Sequence, residues 1–69
     1  MRATTMSLND QGMWAVYFDG DMVLHRKFYR ELNAWLYENG SARRFINREQ
    51  AVAFFAEETD ALLCLMAYR

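Results

Sequence analysis

The side chains of this sequence best suited to proton transfer, nucleophilic attack or metal binding are few: His25, Cys64 and the pair Asp19 and Asp21. His25 stands beside Arg26 and Lys27, two cations that disfavour its protonated form, and no serine, cysteine or carboxylate is spaced to complete a triad with it. It reads as a surface histidine. Cys64 is flanked by leucines, with no cation in its own turn to lower its pKa, and reads as a small core or interface residue. Asp19 and Asp21 bracket Gly20, a pattern of turn chemistry rather than of an acid–base pair. Three scattered glycines make no phosphate loop, and one histidine with one cysteine makes no metal cluster. The sequence therefore predicts a protein that is not an enzyme and needs no cofactor or metal.

What remains with functional character is an interleaving of aromatic and basic residues from Trp14 to Phe45. Aromatics beside Arg and Lys can hold single-stranded nucleic acid by stacking and phosphate contacts. Tyr, Trp and Arg are equally the residues enriched at protein–protein hot spots. The candidate contact residues on either reading are Tyr17, Arg26, Trp35, Tyr37, Arg43 and Arg44. About half of the aromatics must be core, because alternate side chains of a strand face opposite sides.

The element expected to organise the chain is one long amphipathic helix from Asn47 to Arg69, with Phe54, Phe55, Leu62, Leu65 and Met66 on its apolar half. Asn47 with Gln50 three residues on reads as its capping box. A rival reading breaks the helix at Thr59–Asp60 and makes 61–68 a buried strand. Upstream, Met13 to Phe18 and Met22 to Phe28 flank Asp19-Gly20, a strong hairpin signal that sets Val16 opposite Val23 and Trp14 opposite His25. Residues 29–38 read two ways. As a helix they line up Phe28, Tyr29, Leu32, Trp35 and Leu36; as a strand they enter a second hairpin through Asn39-Gly40 and leave along Ser41 to Ile46. The echo of Tyr17-Phe-Asp-Gly-Asp in Tyr37-Glu-Asn-Gly-Ser and the lack of an N-cap residue from Arg26 to Arg30 favour the hairpin. The predicted fold is thus α+β: an antiparallel sheet of three or four strands packed against the C-terminal helix. Residues 1–11 are expected to be a loose arm, and residues 12–69 a single domain.

Sixty-nine residues allow one small core, and the single cysteine excludes an internal disulfide staple. An apolar share of 54 % on so short a chain predicts a homodimer or a constitutive partner that completes the core. Arg2 is not followed by an apolar run, and the longest uncharged apolar stretch, Ala61 to Tyr68, is too short to span a bilayer. One unpaired cysteine fits a reducing cytosol. The net charge of −1 hides a segregation. Residues 22–48 hold Arg26, Lys27, Arg30, Arg43, Arg44 and Arg48 against Glu31 and Glu38; residues 49–68 hold Glu49, Glu57, Glu58 and Asp60 and no base. A basic face that meets nucleic acid or an acidic protein surface is one consequence; opposite charges that hold sheet and helix together is the other.

Two short stretches carry a resemblance. Ala15-Val16-Tyr17 with Gly20 and Arg26, and Ala42-Arg43 with Phe45, Glu49-Gln50 and Phe54-Phe55, are similar in spacing to small phage-encoded anti-CRISPR proteins that inhibit type I-F CRISPR surveillance complexes. The two stretches bracket a longer middle region. The resemblance implies a sheet followed by a helix, and steric binding to the Cas7-type backbone subunits of a host complex so that target DNA cannot enter. Tyr17 takes the place of the strand tyrosine used in that contact, while an acidic contact residue of the family falls on Phe28 here. The reading that follows is a cytoplasmic interaction protein that inhibits a host protein complex. Its alternative is a small nucleic-acid-binding module with a basic, aromatic sheet face.

Overall fold

The computed structural model describes residues 1–39 and 44–69. Along the chain run β1 (Ala3–Leu8), β2 (Trp14–Phe18), α1 (Arg26–Glu38), β3 (Arg44–Asn47), β4 (Val52–Phe55) and α2 (Glu58–Tyr68). The strands form one antiparallel sheet in the order β1-β2-β4-β3. Two hairpins, β1–β2 and β3–β4, thus lie side by side, with α1 as the connection between them. The α+β class, the four-stranded antiparallel sheet and the C-terminal helix packed on it agree with the sequence. The boundaries of several elements do not.

The first correction is at the start of the chain. Residues 1–11, expected as a loose arm, contain the edge strand β1. Leu8 pairs with Trp14, Met6 with Val16 and Ala3 with Phe18, across an irregularity between Ala3 and Thr5. Asn9 closes this hairpin, its side-chain oxygen accepting from the backbone N–H groups of Gln11 (3.0 Å) and Met13 (2.8 Å). Gly12 takes the left-handed conformation that completes the turn, φ +79°. At the other end Arg2 N–H donates to the Asp19 carboxylate at 2.6 Å, and Asp19 N–H donates back to the Arg2 carbonyl at 3.0 Å.

Asp19-Gly20 accordingly does not turn β2 into a second strand. Gly20 has φ +85°, but the following Asp21 caps a helical turn: its Oδ1 accepts from Val23 N–H at 2.8 Å and Leu24 N–H at 3.4 Å. His25 closes that turn twice, its backbone N–H (3.1 Å) and its Nδ1–H (2.7 Å) both donating to the Asp21 carbonyl. Residues 22–28, expected as a strand, are therefore the entry turn and first residues of α1. Residues 29–38 are helix, not strand, because their stripe of Phe28, Tyr29, Leu32, Trp35 and Leu36 finds a core to lie on. The lack of a capping side chain between Arg26 and Arg30 is real: His25 is the N-cap of α1 and makes no side-chain cap hydrogen bond, so the helix forms without one. Of the expected second hairpin, Asn39 is the C-cap of α1, its N–H bonded to the Trp35 carbonyl at 2.9 Å, and 40–43 lie outside the described residues.

The long helix from Asn47 is the largest correction. One of the two capping-box bonds exists, Gln50 N–H donating to Asn47 Oδ1 at 3.1 Å; the second contact is between side chains, with Asn47 Nδ2 and not the Asn47 backbone N–H donating to Gln50 Oε1 at 3.3 Å. They close the β3–β4 turn instead of opening a helix, and Ala51 leaves that turn at φ +55°. Val52 to Phe55 is β4, and the helix starts only at Glu58. Residues 61–68 are helical as expected, which removes the rival buried strand; the break falls at Ala56–Glu57.

Both helices lie on one side of the sheet. Val16, Phe18, Ala53 and Phe55 from the strands share a single buried cluster with Leu32 and Leu36 of α1 and Ala61 and Cys64 of α2. Four rings join the layers: Tyr68 meets Phe28 and Trp35 edge-on, each at 5.6 Å, and Phe18 at 6.1 Å, while Phe18 meets Phe28 at 5.6 Å. Edge-to-face packing of this kind adds about 0.5–1.5 kcal/mol per pair beyond the area buried.

Candidate interaction surface

Strand alternation and the observed register fix the side of the sheet away from the helices. One row across it is Ser7, Ala15, Phe54 and Phe45; the next is Thr5, Tyr17, Val52 and Asn47. All eight are uncharged. Phe45 and Phe54 are cross-strand partners whose rings stack at 4.7 Å with 24° between planes. Ala15, the cross-strand partner of Phe54, and Val52 are buried although neither described helix lies on this side of the sheet. The aromatics stay open: Phe45 is 56 % exposed and Tyr17 40 %. The result is a flat apolar patch with hydroxyl and amide groups at its margin. It can bury area and order aromatic contacts, but it places no titratable pair or nucleophile–base pair together.

The predicted contact residues are distributed over the molecule. Tyr17 lies on the open sheet face. Arg26 and Tyr37 belong to α1, on the opposite side of the sheet, where about 100° per residue places both on the same outward face with Arg30. Tyr37 is 81 % exposed. Trp35 is on α1 too, but turned inward, its ring edge-on to Tyr68. Arg44 opens β3, and Arg43 lies outside the described residues. His25, Arg26 and Lys27, read from sequence as strand neighbours of the aromatics, are helix-entry residues. The expected basic and aromatic strand surface is thus divided between two sides of the sheet.

Sequence reasoning missed the two phenylalanines. Phe54 had been placed on a helix, which hid its pairing with Phe45; the alternation Val52-Ala53-Phe54-Phe55 is too short to signal a strand by itself. Arg48, at the same turn, lays its guanidinium over the Tyr29 ring at 4.4 Å, while its buried Nε has no hydrogen-bond partner among the described residues. That cation–π contact spends one of the basic residues on the packing of α1. Cys64 is fully buried, and burial pushes its thiol from 9.0 up to about 12. Tyr68 is pushed up as well, by burial first and then by the charges of Cys64 and Glu31. Neither group is poised for chemistry at neutral pH. Among the described residues no three His, Cys, Asp or Glu side chains come together as metal ligands, and no helix is long and apolar enough to cross a membrane.

Comparison of the chain with protein families, with curated proteins and with solved structures finds no match.

Proposed function

We propose that this chain is a small protein-interaction module whose contact surface is the open face of the sheet, centred on Tyr17, Phe45 and Phe54. The observation that carries the reading is the stacked Phe45–Phe54 pair beside a half-exposed Tyr17, on a face without charge among its eight described residues. Exposed aromatics on a rigid sheet are apolar area already held in place, so a partner that covers them gains burial with little side-chain ordering cost. Loss of charge from the centre of a patch is also what distinguishes interface cores from ordinary surface.

The nucleic-acid alternative needs stacking rings and cations on one surface. Here Arg26, Lys27 and Arg30 ride on α1, behind the sheet that presents Tyr17 and Phe45. The finer form of the proposal is a steric inhibitor of a host protein complex, of the anti-CRISPR kind, and it rests on the sequence resemblance with Tyr17 as a shared contact. A salt titration with single- and double-stranded nucleic acid separates the two classes. The interaction module shows no binding with a steep salt slope; affinity that falls by orders of magnitude between low and physiological salt would replace it with the nucleic-acid reading.

A further inference from the structure

The second unpartnered surface is on α2. A helix that lies on a sheet needs one apolar stripe, yet α2 is apolar nearly all round. Ala61, Cys64 and Tyr68 point into the core, while Leu62, Leu63 and Met66 point away from it at 45, 55 and 64 % exposure. The stripe is bounded on one flank by charge. At about 100° per residue, Glu58 and Arg69 fall within about 20° of each other, on the same flank and about 16 Å apart along the axis. Glu58 begins the helix and Arg69 caps its end.

We propose that this stripe is the contact between two copies of the chain, packed with their α2 helices antiparallel about a two-fold axis. Such an axis preserves the flank and reverses the direction, so Glu58 of each copy meets Arg69 of the other, and the two charge pairs form together or not at all. Leu62 and Met66 interdigitate between them, and the antiparallel helix dipoles add no repulsion. A parallel two-fold would put the two charged flanks on opposite sides of the seam, so that neither Glu58 nor Arg69 meets its counterpart. The charge placement therefore selects a second copy in one orientation, rather than an arbitrary apolar partner. Because α2 and the open sheet face are on opposite sides of the molecule, the dimer presents two sheet faces outward, and its formation is independent of what the sheet binds. Two eleven-residue helices cover less than the roughly 800 Å² per partner of a standard interface, so the dimer dissociates on dilution.

Sedimentation equilibrium on the intact chain tests this, with far-UV circular dichroism to check that each variant is folded. The wild type is expected to pass from monomer to dimer with rising concentration. Glu58→Arg alone and Arg69→Glu alone should each weaken dimerisation about tenfold, since two attractive pairs become repulsive, and the double variant should restore it. Leu62→Lys with Met66→Lys should leave a folded monomer. A wild type that stays monomeric up to roughly millimolar concentration overturns the proposal, whether the stripe is then open or covered by another protein. So does a double reversal that fails to restore the dimer, or a dimer lost on Phe45→Arg, which would put the contact on the sheet.

Discussion

Cys64 is the side chain whose chemistry is most altered by the fold. Its thiol is held near pKa 12 against 9.0 in the open chain, so above pH 9 the unfolded state loses this proton first. The contribution of this group to stability is complete below pH 9 and is lost as pH rises from 9 towards 12, by about 1.4 kcal/mol per pH unit. The raised pKa of Tyr68 acts in the same direction. Urea denaturation between pH 7 and pH 11 should show this fall, and Cys64→Ala should flatten it. Two aromatic candidates separate at the same scale. Trp35→Ala should destabilise the protein by about 3 kcal/mol, because its ring is part of the packing between α1 and α2. Tyr17→Ala should change stability by less than about 0.5 kcal/mol and reduce affinity for a protein partner about 30-fold, as removal of a hot-spot aromatic does. Denaturation and binding titrations on the two variants give opposite patterns. From sequence both were contact residues, because residue type cannot distinguish a ring at a free face from a ring in a core.

At the scale of elements, local signals were read correctly in chemistry and wrongly in consequence. The Gln50 N–H to Asn47 Oδ1 bond forms, but that bond can cap a helix or close a turn, and Val52 to Phe55 had a second choice in the neighbouring edge of β2. Tertiary pairing decided it. Asp19-Gly20 has its positive φ at Gly20, but Asp21 captured the next turn and fed a helix. The apolar stripe of α1 was visible; its start was not, since the helix begins at Arg26 behind His25 without any capping side chain to signal it. β1 was hidden because a strand at the edge of a sheet with one open face needs few apolar residues, and only Ala3 and Met6 face the core cluster. These turns can be tested. A Cβ at Gly20 would require positive φ from an L residue and would sit 3.3 Å from Met1 Cγ, so Gly20→Ala should cost about 1–2 kcal/mol in thermal or denaturant unfolding. Asp21→Ala should cost about 1 kcal/mol, with faster amide exchange at Val23 and Leu24 as the local signature.

The whole molecule is a three-part stack: an open sheet face, a core shared by both helices, and an outward apolar stripe on α2. For a chain of 69 residues that arrangement leaves two large apolar surfaces uncovered by the rest of the described chain, on opposite sides. The composition anticipated a need for partners. It did not locate them, because a single helix from Asn47 to Arg69 puts Phe54, Leu62 and Met66 together on one buried face and separates Phe54 from Phe45 on the preceding strand. Charge segregation was real in sequence, but among the described cations Arg26, Lys27 and Arg30 belong to α1 and Arg48 lies over Tyr29, leaving Arg44 at the start of β3 as the one on a strand.

The most direct measurement is affinity capture from bacterial lysate with four immobilised proteins: the wild type, Tyr17→Arg, Phe45→Arg and Arg26→Glu, each first shown to be folded. The account predicts one stoichiometric protein retained by the wild type and by Arg26→Glu, and lost from both sheet-face variants. Retention of the same partner by Tyr17→Arg and Phe45→Arg, or its loss from Arg26→Glu alone, would contradict the claim that the open sheet face is the interaction surface.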